Sequence, residues 1–207
     1  MKIMETNLAT RKMVLSVVIS AIFSLLLGLT FLPQTVHAYV YETYSTKNVY
    51  GVSYQKYWPT GSTTAWQRQQ INDQMYRWNT SNGTGLVTPI NVTIGSNQAQ
   101  SILDYYYDAQ GYKAPDVTGT TFHFYGDNQV SFTNSNWTYA QMHALGTVYN
   151  TQPNSIKIQT WAHETGHGFG LAHNNDSSHP SVMRQVIDGS FNGPTINDLK
   201  GINYLYN

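Results

Sequence analysis

The chain has 207 residues, with 11 basic and 11 acidic side chains and no cysteine. That balance excludes a basic nucleic-acid surface and a charge-driven acidic tail, and the missing thiols exclude both a disulfide framework and thiolate metal ligation. Any bound metal must be held by imidazole or carboxylate, and the length suits one domain around one sizeable core.

In chain order, the first 38 residues stand apart. Lys2, Arg11 and Lys12 form a positive region, Met13 to Leu32 is mostly apolar, and Pro33 followed by Val36-His37-Ala38 supplies a helix breaker and a small-x-small cleavage signal. This pattern predicts an export signal over 1–38, removed to leave a domain over 39–207. An uncleaved anchor is the alternative, because about twenty apolar residues can cross a bilayer. Ser16, Ser20, Ser24 and Gly28 dilute the run and favour cleavage. The expected location is secreted and extracellular, with membrane contact only during export.

Val49 to Tyr57 alternates apolar and polar residues and predicts a strand ended by Pro59 and Gly61. In AWQRQQINDQMYRWN, Ile71, Met75 and Trp78 recur at helical spacing, and Thr63 or Thr64 can cap the helix. Ile90 to Ile94 and Ser101 to Tyr107 read as short strands, a helical Gln98 to Tyr106 being the alternative. Thr120 to Tyr125 and Gln129 to Thr133 are two more, separated by the turn Gly126-Asp127-Asn128. A long helix is predicted from Ser155, and a last one from a Thr195 cap to Tyr206. Strands with three helices and no internal repeat give an α+β domain.

The chemistry concentrates in WAHETGHGFGLAHN, Trp161 to Asn174. Residues four apart share a helical face with Cβ atoms about 5 to 6 Å apart, so His163 and His167 can aim at one ion. Gly170 can adopt the left-handed conformation that stops a helix, and the turn would bring His173 in as a third ligand. Three nitrogens leave a fourth tetrahedral position open, as in catalytic zinc sites. Glu164 borders the same face as a candidate general base for zinc-bound water. Glutamate is scarce here, since beyond residue 38 only Glu42 and Glu164 occur. A bare HExxH arises readily by chance, whereas the extended HExxHxxGxxH does so with a probability on the order of 10⁻⁵ at this chain's composition.

HETGHGFGLAH resembles the metzincin zinc-binding signature, and Ser181-Val182-Met183 resembles the Met-turn of that family. Within the metzincins the chain is most similar to the matrixins, the matrix metalloproteinase type. TINDLKGINYLYN resembles their closing helix, and Gly-Thr-Thr-Phe-His-Phe with Val-Ser-Phe before Trp137 resembles their fourth and fifth strands. The resemblance implies a twisted, mostly parallel five-stranded sheet with an antiparallel edge strand and three helices. It implies zinc held by His163, His167 and His173, Glu164 as the catalytic base, Met183 as an apolar floor and Asp198 bonded to the Met-turn backbone. A polypeptide substrate would lie extended along the edge strand of a monomer.

Some positions depart from that pattern. Asn197 stands where the matrixins carry the aspartate that can pair with a mature N-terminal amine, so that salt bridge is expected to be absent. Gln185 replaces the tyrosine of the tyrosine-assisted subtypes. His123 occupies one ligand position of a second, structural zinc, but Ser131 stands where a partner histidine would, so His123 is expected to be a strand histidine. His143 and His179 have no assigned role. Asp104, Asp108, Asp116 and Asp127 could offer oxygens to calcium, but their spacing forms no recognisable loop. A cysteine switch is excluded by the lack of cysteine. The leading expectation is a secreted zinc endopeptidase. The competing ones are a zinc-binding surface or adhesion module without turnover, which the retained Glu164 argues against, and a zinc amidase acting on cell-wall peptides.

Overall fold

Period-two patterning and β-branched or aromatic content underlie the strands of the computed structural model, which describes residues 42–108 and 117–207. The predicted export signal and Asp116 lie outside the described residues. No helix among the described residues is long and apolar enough to cross a membrane.

The strands are β1 (Ser53–Pro59), β2 (Asn91–Ile94), β3 (Leu103–Asp108), β4 (Gly119–Tyr125), β5 (Asn128–Val130) and β6 (Tyr139–Leu145). They form one sheet in the order β2-β1-β3-β6-β4-β5. β2, β1, β3 and β6 run parallel, while β4 lies antiparallel to β6 and β5 antiparallel to β4. This is the mostly parallel sheet with an antiparallel edge that was expected, with β5 as a short sixth strand. Strand β3 over Leu103–Asp108 favours the strand reading there, while the start of the alternative, Gln98–Gln100, is a single 3₁₀ turn. β6 was not anticipated from the sequence. Its Ala, Gln, Met and Leu residues favour helix, yet Ala140, Met142 and Ala144 are buried while Tyr139, Gln141 and His143 are only partly so, the alternation of a strand.

The helices are α1 (Ala65–Asn79), α2 (Gly146–Tyr149), α3 (Asn154–Gly168) and α4 (Ile196–Tyr206). α1 begins in a capping box, with the Thr64 hydroxyl accepting from the Gln67 amide and the Gln67 side chain accepting from the Thr64 amide. α4 repeats the device with Thr195 and Asp198. α1 buries Ile71, Met75 and Trp78, the stripe predicted from their spacing. Trp78, Trp161 and Phe169 are fully buried in the core, where each large side chain contributes roughly 1.5–3 kcal/mol.

α3 packs unusually close to its neighbours. A Cβ on Gly168 would meet Met142 Sδ at 3.0 Å and Leu103 Cδ2 at 3.1 Å, and one on Gly166 would overlap the Met183 side chain. Two glycines weaken a helix intrinsically, and here their missing side chains are the space in which sheet and floor approach it. That approach sets where the histidines of α3 come to lie.

Candidate metal centre and active site

α3 carries His163, Glu164 and His167 on its buried side, and all three are nearly inaccessible. The helix then ends in a Schellman motif, in which the Leu171 amide donates to the Gly166 carbonyl at 3.0 Å and the Gly170 amide to the His167 carbonyl at 2.9 Å. Gly170 holds φ at +102°, and a Cβ there would meet Leu205, Thr46 and Trp137. Reversal at this glycine brings His173 back over α3, exposed at the surface of the site.

The three imidazoles converge. His163 Nε2 and His167 Nε2 each lie 3.2 Å from His173 Nε2. His163 Nδ1 lies 2.9 Å from the Val182 carbonyl and His167 Nδ1 2.8 Å from the Leu171 carbonyl. A carbonyl oxygen only accepts, so both Nδ1 atoms carry their protons and both Nε2 atoms present bare lone pairs. Burial holds His163 down at about 4 and His167 well below the usual imidazole range, which keeps both rings neutral. One proton on His173 Nε2 can satisfy only one of its two neighbours; a shared cation satisfies all three. Two nitrogens about 2.0 to 2.1 Å from one tetrahedral ion would sit about 3.3 Å apart, so the spacing fits zinc. These histidines form the metal-capable group found among the described residues.

Glu164 is buried beside them, and burial raises its carboxyl to about 8 against the lowering influence of a hydrogen bond from Thr121. The Thr121 hydroxyl is 2.7 Å from Oε2. Thr121 belongs to β4, so the glutamate is tied to the sheet edge. A cleft of about 530 Å³ opens there, bordered by Thr118 to Thr121, the three histidines, Glu164, and Val186 and Ile187 from the segment after Met183.

Met183 is buried, with its side chain packed against Gly166 of α3. Its carbonyl accepts from the Asn174 amide at 2.9 Å, tying the floor to the segment that carries His173. Asp198 is buried and accepts from the Ser181 hydroxyl, from the Val182 amide at 3.0 Å and from the Thr195 amide at 2.7 Å. It thus makes the Met-turn contact that the resemblance implied, and burial raises its carboxyl despite these donors.

Other sequence candidates lie elsewhere. His123 is buried in β4 and donates from Nε2 to the His167 carbonyl at 3.0 Å. His143 stacks on Tyr106, and His179 pairs with Asp176 in an exposed loop. The Asp104 carboxylate accepts from Tyr139, Gln98 and Ser101. Sequence reasoning missed Tyr44, whose hydroxyl lies 2.8 Å from His167 Nδ1. No periodicity or motif marks that position.

A family model described as Metallo-peptidase family M12B Reprolysin-like matches residues 85–199, a span that holds the three histidines, Glu164, Met183 and Asp198. No curated protein matches the sequence. Among solved structures the chain is similar to High choriolytic enzyme 1, a hatching enzyme zinc-protease from Oryzias latipes (Medaka fish). The identity is 15% and the TM-score 0.40, over 73% of this chain and 88% of that one. Because the family match spans more than half of the sequence, the chain belongs to the reprolysin-like M12B metallopeptidases, within the metzincin zinc proteases.

Proposed function

We propose that the chain is a secreted zinc endopeptidase, exported by residues 1–38 and acting as a monomeric domain over 39–207, with His163, His167 and His173 holding zinc and Glu164 as general base. The observation that carries this reading is the pair of bare Nε2 lone pairs, each 3.2 Å from His173 Nε2, with one buried carboxyl beside them. The bound ion would polarise the scissile carbonyl as a Lewis acid and acidify a water molecule.

The chain's own residues do the rest. Glu164 takes a proton on its carboxylate as the amide is attacked and returns it to the leaving nitrogen. The Thr121 hydroxyl fixes the rotamer of that carboxylate from the sheet edge. β5 pairs with β4 only from His123 onward, so among the described residues Gly119 to Thr121 have no strand partner on that side. An extended peptide can add there as a further strand. The Asp198 contact to the Met-turn supports a matrixin-like variant of the metzincin site.

The test is casein or gelatin hydrolysis by the wild-type protein and by Glu164→Ala, each with a chelator control and metal analysis. Expected is one zinc in both proteins, with turnover lower by about 10² to 10⁴ in the variant. Stoichiometric zinc without hydrolysis of any peptide library would point to the binding module. Hydrolysis confined to cell-wall peptides would point to the amidase. Absence of metal from protein folded with zinc would sink all three.

A further inference from the structure

The segment before β1 reaches into the metal centre. The Tyr44 amide donates to the Gly170 carbonyl at 3.0 Å, the Ala172 amide donates to the Glu42 carbonyl at 3.0 Å, and Thr43 bridges antiparallel to Leu171. These bonds grip the few residues that join His167 to His173. The phenol of Tyr44 then lies 2.8 Å from His167 Nδ1, with its ring nearly parallel to the imidazole at 15° and 5.7 Å between centroids. Phe132 packs against the same tyrosine with ring centroids 4.1 Å apart.

The two ligands on α3 are therefore held differently. His163 Nδ1 meets one acceptor, the Val182 carbonyl, whereas the Nδ1 proton of His167 lies between two oxygens, the Leu171 carbonyl and the Tyr44 phenol. Because Nδ1 carries the proton, the phenol oxygen accepts. Acceptors on the far nitrogen of a ligating histidine fix its tautomer and orientation and make its ligating nitrogen more basic.

We infer that Tyr44 is a positioning residue for the metal, holding His167 in its ligating tautomer and tilt, and that the strap 42–48 delivers it. This rests on the zinc reading above. Tyr44 does not need to touch the substrate for this role. It acts through His167, and the strap fixes the span between the second and third ligands.

The test uses the full chain with Tyr44→Phe, which keeps the ring and removes the hydroxyl. Tyr50→Phe serves as control, because Tyr50 is 60% exposed and outside the site. Zinc affinity is read by competition with a chromophoric chelator, ligand geometry by the visible spectrum of the cobalt-substituted protein, and folding by thermal melting after chelation. Tyr44→Phe is expected to bind zinc about tenfold to a hundredfold more weakly and to shift the cobalt spectrum, with an unchanged melt of the stripped protein. Tyr50→Phe is expected to match the wild type in all three. Unchanged zinc affinity and an unchanged cobalt spectrum would overturn the inference, as would a lower melt of the stripped variant with affinity intact, the mark of a purely structural contact. A wild type that binds no zinc would overturn the functional reading itself, and this inference with it.

Discussion

Gly119 presses its backbone against Glu164: a Cβ at that position would stand 2.7 Å from Oε1 and 2.9 Å from Cγ of the glutamate. Thr160 Cγ2, at 2.8 Å, closes the remaining space. Gly119→Ala should therefore push the carboxyl off its Thr121 hydrogen bond without touching the histidines. Misplacing a catalytic group by about 1 Å can cost on the order of 10²-fold. The expected outcome is a kcat reduced by about tenfold to a hundredfold with zinc content unchanged. Steady-state kinetics beside metal analysis check it, and a wild-type kcat in the variant would refute the packing argument.

Gly166 and Met183 form a second glycine-dependent contact. A methyl group on residue 166 would overlap the Met183 side chain and reach Trp78 Cζ2 at 3.4 Å. Overpacking of this kind costs about 1–3 kcal/mol, against a gain of at most about 1 kcal/mol from better helix propensity. Gly166→Ala should be destabilising in urea unfolding, and much less so in a Met183→Ala background. Additive effects in that double-mutant cycle would show that the two residues are not in contact.

Asp198 offers a test of the Met-turn. Replacing it by alanine leaves the Ser181 hydroxyl and the Val182 and Thr195 amides without their acceptor. Each buried donor left unsatisfied costs about 1–3 kcal/mol, so Asp198→Ala should lose at least about 3 kcal/mol. Asp198→Asn, which retains one acceptor oxygen and turns the other into a donor, should lose less than Asp198→Ala. Equal stability of Asp198→Ala and wild type would sink the proposed anchoring.

His143 gives a pH signature remote from the metal. It stacks on Tyr106 at 4.7 Å and 11°, and burial lowers its pKa against the opposing influence of Asp108. An imidazole depressed in the folded state takes its proton more readily when unfolded, so stability falls as pH drops below the unfolded value near 6.5. His143→Asn removes this contribution. The stability of the wild type should decline more steeply than that of the variant from about pH 6.5 downward. Parallel pH profiles would show that the ring does not titrate differently on folding.

Much of this was legible in the amino-acid sequence, for stated physical reasons. The chemistry sits on local patterns: four-residue spacing on one helix, a glycine stop, and threonine caps at Thr64 and Thr195 whose partners lie within one turn. Non-local pairing was harder to read. β6 is central in the sheet although its side chains favour helix, because register with β3 and β4 overrides propensity. Val-Ser-Phe at residues 130–132 was expected to complete a strand, but β5 stops at Val130. Tyr44 is in an aperiodic stretch, and its place becomes visible only once Gly170 has turned the chain beside it.

The length of β5 has its own consequence. An open sheet edge exposes a row of unpaired amides and carbonyls, a hazard that proteins usually blunt because another chain can add to it. Here β5 covers β4 from His123 to Tyr125, and among the described residues no strand pairs with Gly119 to Thr121 on that side. The stretch available for accepting a peptide is thus also the stretch available for unwanted self-association. Under the proposed peptide docking, catalysis and solubility would compete for the three residues Gly119 to Thr121, and the hairpin at Gly126 fixes how far β5 reaches along β4.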